Sequence, residues 1–429
     1  MNTLESAKNL IDFIEKAPSS YHSVLAAISE LEASGFSPLE LAAPWDVEPG
    51  KSYYINVYGT SLFAFTVGNE PKGRLHMAAA HTDYPCFRIK PNPDFVTKGY
   101  AQINVEVYGG PILNTWLDRP LGLAGRVVTK GEDPFSPEIH YYRSEKAVLT
   151  IPNLAIHMNR EVNKGVELNP QVDLMPILDL LSEEEKSTDY FLTFLSEELK
   201  VEKEDILDFE LNTYCVEEPC YVGIKDSMIS SPRLDNQTSV GALTLAIENG
   251  CRESGINLIA LFDHEEIGNK SKQGAASLMI RDLLRRILML LGNTEEEVEQ
   301  AIYGGMLLSV DVAHGLHPNK VGKMDITNQP VLGKGFCIKE ACSQSYATDS
   351  EAVSILWQIC KEGNIPVQRF ANRSDVRGGG TLGSVVSTLL PIKTVDMGIP
   401  ILAMHSAREL MGSSDMKSLT DAVTRFFSL

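Results

Sequence analysis

Short apolar runs that break off in a potential metal ligand recur along this chain. Asn257-Leu258-Ile259-Ala260-Leu261-Phe262 runs into Asp263-His264-Glu265-Glu266. Leu75-His76-Met77-Ala78-Ala79-Ala80 runs into His81-Thr82-Asp83, and Met306-Leu307-Leu308-Ser309-Val310 into Asp311-Val312-Ala313-His314. A fourth, Ile399-Pro400-Ile401-Leu402-Ala403-Met404, runs into His405-Ser406-Ala407-Arg408-Glu409. Nearly continuous apolar runs of this length read as strands buried on both faces. Ligands of open α/β sheets sit beyond the carboxyl ends of the strands, so parallel strands of this kind bring their tips to one site.

The rest of the pattern frames these runs. Leu10, Ile11, Phe13 and Ile14 form a helical stripe, and Ser19-Ser20 punctuate its end. Residues 52–67 alternate as two strands, with Tyr53, Ile55 and Val57 in one, Phe63, Phe65 and Val67 in the next, and Gly59 as the turn. From about Lys90 to Val222 the texture changes. Short β-like runs (Ile103 to Val107, Leu123 to Val128, Ile139 to Tyr142) are separated by Pro and Gly, which predicts a small β-barrel or sandwich. An acidic, helix-prone piece from Ser182 to Glu198 reads as a solvated helix face. Strand and helix alternation resumes after Asp226. The expected fold class is therefore α/β, with a catalytic domain in residues 1–88 and 221–429 and a β-rich domain inserted at 89–220.

Size and composition narrow the function. The chain has 429 residues, 43% of them hydrophobic, enough for a large core and for two or three domains. A net charge of −19 disfavours nucleic acid and anionic membrane surfaces as partners. The opening Met1-Asn2-Thr3-Leu4-Glu5 has no basic start followed by an apolar block, and the apolar stretch from Leu283 to Leu291 contains Arg285 and Arg286. A cytoplasmic protein that spans no membrane is expected. Seven cysteines, an odd number, fit reduced thiols. Cys215/Cys220 and Cys337/Cys342 share a spacing within the looser range for zinc ligands, but coincidence among buried thiols is the preferred reading.

The run ends carry the chemistry. In an extended segment His81 and Asp83 leave the same face, so His81 reads as a metal ligand oriented by Asp83; a hydrogen-bonded surface pair is the plain alternative. Asp235, in Arg233-Leu234-Asp235-Asn236 before a helical run, is by itself an ordinary helix cap, and within the set a carboxylate able to bridge two metals. Glu265 and Glu266 are neighbours and cannot both face one atom, which divides them into a ligand and a general base. Asp311 and His405 complete the set. Oxygen and imidazole donors without thiolate suit zinc, manganese or cobalt. Gly378-Gly379-Gly380-Thr381-Leu382-Gly383 matches a dinucleotide fingerprint only formally, because polar residues precede it and Asp396 comes early for a ribose ligand. It reads as a tight loop opening a helix at Ser384. There is no Walker loop and no G-x-S-x-G elbow.

Taken in order, His81-Thr82-Asp83, Arg233-Leu234-Asp235-Asn236, Asp263-His264-Glu265-Glu266-Ile267-Gly268, Ser309-Val310-Asp311-Val312-Ala313-His314 and Met404-His405-Ser406-Ala407-Arg408-Glu409 resemble the aspartyl aminopeptidase family. The likeness covers nearly the whole chain, including Ile151-Pro152-Asn153-Leu154-Ala155-Ile156-His157. It implies a mixed-sheet αβα sandwich of the zinc-exopeptidase type, a β-rich dimerisation domain inserted in it, and a tetrahedral dodecamer built from dimers. It also implies two divalent ions. One would take His81, Asp235 and Asp311, the other Asp235, Glu266 and His405, with Asp235 bridging. Glu265 would be the general base, Asp83 its companion in catalysis, and His157 a contribution to a neighbouring subunit's site. Relatives that prefer acidic first residues place basic residues before the Tyr-Ala-Thr motif, where this chain has Ser343-Gln344-Ser345 before Tyr346. Arg377, Lys334 or Lys339 would have to take that part, so acidic and neutral preferences both stay open. His157, Tyr346 and Arg377 are the substrate-binding expectations. The implied reaction is removal of the N-terminal amino acid from peptides. A carboxypeptidase or deacylase of the same architecture, and a self-assembling metal-binding scaffold, are the alternatives.

Overall fold

The structure, a computed structural model, describes residues 2–182 and 189–429. Residues 183–188 of the acidic stretch lie outside the described residues; its remainder forms the helix Tyr190–Leu199. By contacts the chain divides into two compact units, one of residues 1–83, 219–404 and 409–429, the other of residues 84–218 and 405–408. The expected divisions fell at 88/89 and 220/221, and the return of 405–408 to the second unit was not foreseen.

The first unit is built on a nine-stranded sheet. Its four central strands, Ser254–Phe262, Glu70–His81, Met306–Val310 and Lys393–Gly398, lie side by side and parallel. Ser61–Val67 pairs antiparallel outside Ser254–Phe262, and Phe336–Glu340 antiparallel outside Lys393–Gly398, which makes the sheet mixed. Alternate residues of each strand feed two separate cores, as the period of two requires. Ala78, Ala80, Ile259, Leu261, Leu308 and Val310 pack on one face, with helices Thr3–Lys16, Ser20–Ala33, Leu234–Asn249 and Asp415–Phe427. Met77, Ala79, Leu258, Ala260 and Leu307 pack on the other, with helices Met279–Leu290, Glu295–Gly304 and Leu382–Leu389. Two helical layers thus enclose the sheet. Three of the four apolar runs are its strands because burial on both faces leaves them no polar side.

The fourth run differs from expectation. The main-sheet strand is Lys393–Gly398, whose Lys393, Thr394 and Asp396 hide it from a search for apolar runs. Pro400–Leu402 belongs instead to a five-stranded sheet, between Glu409–Gly412 and Ala313–His314. Ala403 and His405 then adopt left-handed backbone conformations, so the chain bends away rather than ending a main-sheet strand. Gly398 permits the handover: a Cβ there would lie 1.4 Å from the carbonyl oxygen of Asp311.

The second unit holds a six-stranded antiparallel sheet, ordered Glu138–Arg143, Leu121–Thr129, Ile206–Cys215, Cys86–Thr97, Tyr100–Tyr108, Ile177–Leu180. Leu149 bridges to Leu121 and Thr150 to Ile177, so residues 149–150 join the second strand of that order to the last, in keeping with the expected small barrel. Helix Tyr190–Leu199 supplies the covering layer, burying Phe191 and Leu195 against Phe87, Phe209 and Leu211. Among the described residues no helix is long and apolar enough to cross a membrane.

Candidate metal centre

Strand register places the candidate ligands level with one another. Phe262 pairs with His81, and Ser309 with Ala79, so Asp263, His81 and Asp311 reach the same edge of the sheet. Asp235 arrives from the opposite direction, at the start of the buried helix Leu234–Asn249. Its backbone is extended (φ −78°, ψ 107°) and regular helix begins only after Asn236, so it stands ahead of the helix rather than capping it in the ordinary way. Its amide donates to Glu409 Oε2 at 3.0 Å, and Asn236 Nδ2 donates to the Val310 carbonyl at 3.1 Å. These bonds hold the helix start against the strand ends.

Between them the donors converge. His81 Nε2 is 3.4 Å from Asp235 Oδ1 and 3.5 Å from Asp311 Oδ1. Ligand atoms of His81, Asp235 and Glu266 all lie within 4.8 Å of one another. Tetrahedral bonds of about 2.0–2.2 Å imply ligand separations of roughly 3.3–3.6 Å, so the spacing fits a zinc-sized ion. Asp311 Oδ1 is buried without a hydrogen-bond partner, a state a carboxylate oxygen tolerates when it faces a cation. Burial pulls the His81 imidazole down, but Asp235, Asp311 and Asp83 outweigh it and hold its pKa well above the usual histidine range. The same concentration of negative charge favours a divalent cation. The donor set of imidazole and carboxylate is therefore fit for the metal its chemistry suggested.

Asp83 has more to do than orient an imidazole. Its Oδ1 is 3.3 Å from His81 Nδ1. That oxygen also accepts the Glu265 amide at 3.1 Å, and Oδ2 accepts the Glu266 amide at 3.1 Å. One carboxylate therefore ties the His81 strand to the turn carrying both glutamates. The turn begins at His264 in the left-handed region, its amide bonded to Asp263 Oδ1 at 2.9 Å and its Nδ1 2.7 Å from Ser271 Oγ. Glu265 is partly buried, and its pKa is pushed up to about 8 by burial; His81 opposes this, while Asp311, Asp83 and Asp235 reinforce it.

The other expected residues sit as follows. His405 lies in the second unit, its Nδ1 3.0 Å from the Gly110 carbonyl oxygen. His157 is exposed on a loop of that unit. Tyr346 is buried in a small cluster with Ala313, Cys337 and Phe370. Arg377 and Lys334 are exposed, whereas Lys339 is buried beside the centre, its Nζ bonded to the Val312 carbonyl at 3.0 Å and 3.8 Å from Asp311 Oδ2. The glycine loop opens its helix at Leu382, two residues before the expected Ser384. All seven cysteines are free thiols. Sequence reasoning did not anticipate Glu409 as the anchor of Asp235. The available signal was an acidic residue four positions after His405, within an otherwise apolar strand.

Comparison with known proteins gives the family. Residues 13–427 match the model of the family described as Aminopeptidase I zinc metalloprotease (M18). The chain is 44% identical over 420 residues to the "Probable M18 family aminopeptidase 2" of Clostridium novyi (strain NT), covering 96% of each chain. It is 41% identical over 431 residues to the protein of the same name from Clostridium acetobutylicum, covering 100% of each. Among solved structures, the cryo-EM structure of the Ape4 and Nbr1 complex contains a chain that superposes with a TM-score of 0.95 at 32% identity, over 99% of this chain and 86% of that one. The chain belongs to the M18 family of aminopeptidase I zinc metalloproteases, and is a zinc-dependent aminopeptidase of that family.

Proposed function

We propose that this aminopeptidase removes the first residue of peptides at a centre of two divalent ions, with Glu265 as general base. The convergence of His81, Asp235 and Glu266 within 4.8 Å, with Glu265 next in sequence, carries the reading. One ion would be held by His81, Asp235 and Asp311, the other by Asp235, Glu266 and His405. Bound zinc lowers the pKa of water and polarises the scissile carbonyl. The protein's own part is proton management. Glu265 takes a proton from the attacking water and delivers it to the departing amine. Asp83 fixes where that carboxylate points by holding the amides of both glutamates.

Acidic first residues are the preferred substrates in this reading. Lys339 is a buried cation beside the centre, 5.1 Å from the Tyr346 ring centroid, and it would supply the positive charge that Ser343 and Ser345 do not. Arg377 would add to it from the glycine loop, and His157 would enter a neighbouring copy's site. The assembly would be a dodecamer built from dimers. Supporting the dimer, Tyr100 and Leu180 pair across adjacent strands of the second unit and are 47% and 68% exposed, an apolar patch that a second copy would cover.

A panel of aminoacyl chromogenic substrates with zinc, manganese or cobalt tests the proposal. Cleavage of aspartyl and glutamyl substrates well ahead of leucyl and alanyl ones is expected. Cleavage of N-acylated amino acids with no action on free aminoacyl substrates would replace it with the deacylase reading.

A further inference from the structure

Asp396 takes no part in the centre described above, yet it is fully buried on the strand beside it. It lies opposite Ser309 on one side and Lys339 on the other. A buried carboxylate costs a great deal unless donors surround it, and here the donors come from two separate loops. Oδ2 accepts the Ala347 amide at 2.6 Å, and Oδ1 accepts the Thr381 hydroxyl. The Asp396 amide donates to Thr348 Oγ1 at 2.9 Å. The loops are also joined directly, the Thr381 amide donating to the Ser345 carbonyl at 3.2 Å. Packing leaves no slack at this point. A Cβ on Gly383 would stand 2.9 Å from Asp396 Oδ1 and 2.5 Å from Ser309 Oγ, so the helix Leu382–Leu389 presses onto the carboxylate.

Asp396 therefore governs the placement of both the Tyr-Ala-Thr segment and the glycine loop that follows Arg377. A single buried carboxyl group bonded to two loops leaves them little independent movement. We propose that Asp396 is a positioning residue that locks these loops into one wall of the substrate site and so sets how tightly the peptide's first residue is held. This rests on the reading, given above, that Tyr346 and Arg377 border the substrate.

The test compares Asp396→Asn and Thr381→Val with the wild-type zinc enzyme on aspartyl and leucyl chromogenic substrates. Zinc content and amide exchange at Ala347 are followed in parallel. Asp396→Asn is expected to retain zinc, to speed exchange at Ala347, and to raise KM about tenfold or more, while kcat stays within about threefold. Thr381→Val removes one bond and is expected to move KM the same way by less; it carries the test if Asp396→Asn does not fold. Unchanged Ala347 exchange in Asp396→Asn would overturn the anchoring role. Faster exchange with KM unmoved would overturn the link to substrate, and zinc loss with a fall in kcat alone would place the effect at the metal centre instead. A wild-type enzyme inactive on every substrate would count against the proposed function, whereas an active one with these variants unaltered would count against Asp396 alone.

Discussion

At the residue scale the proposal rests on a division of labour between neighbours. Glu265 and Glu266 follow one another in a turn, and Asp83 grips both amides, so one anchor holds the two residues to which the proposal gives different tasks. Glu265→Gln keeps the shape and removes the ability to accept a proton. It is expected to retain zinc and fold, and to lower kcat by about 10²–10⁴-fold, the range for loss of a general base. Metal analysis alongside steady-state kinetics checks this, and turnover within a fewfold of wild type would discard the assignment. Much at this scale was legible in the sequence. His81 and Asp311 were visible because each ends an apolar run, and the Glu-Glu pair because adjacent acids at a buried strand's tip need a reason. Glu409 and the second task of Asp83 were not, since backbone amides as hydrogen-bond donors leave no mark in a sequence.

At the scale of elements, the centre is positioned by strands clamped to helices far from the chemistry. His76 shows how. Low on the Glu70–His81 strand, it is 7% exposed, stacks on Phe426 at 4.4 Å and bonds through Nδ1 to the Phe426 carbonyl at 2.9 Å. A carbonyl only accepts, so Nδ1 carries the proton. Burial lowers its pKa to about 4, helped by the charges of Arg252 and Arg74. The unfolded histidine, near its ordinary value of about 6.5, then binds protons at pH values where the folded one does not. The contribution of this group is whole above about pH 6.5 and is lost as pH falls toward 4, by about 3 kcal/mol. Denaturant midpoints measured from pH 7 to pH 4 are expected to fall more steeply in wild type than in His76→Phe; parallel profiles would refute the account. Elements were also where pattern reading failed. Lys393–Gly398 was missed because Asp396 and Lys393 break its apolar character, and Ile399–Met404 was misassigned because its strand serves a different sheet.

At the scale of the molecule, the nine-stranded mixed sheet gathers residues 81, 266 and 311, far apart in sequence, because parallel strands end together, and the start of the helix Leu234–Asn249 brings Asp235 to them. The central claim is that these donors, with His405, hold two ions. Anomalous diffraction at the zinc edge on crystals of the zinc-loaded protein tests it most directly. The account predicts two peaks per chain, one ringed by His81, Asp235 and Asp311, the other by Asp235, Glu266 and His405. A single peak, or peaks away from Asp235, would contradict it.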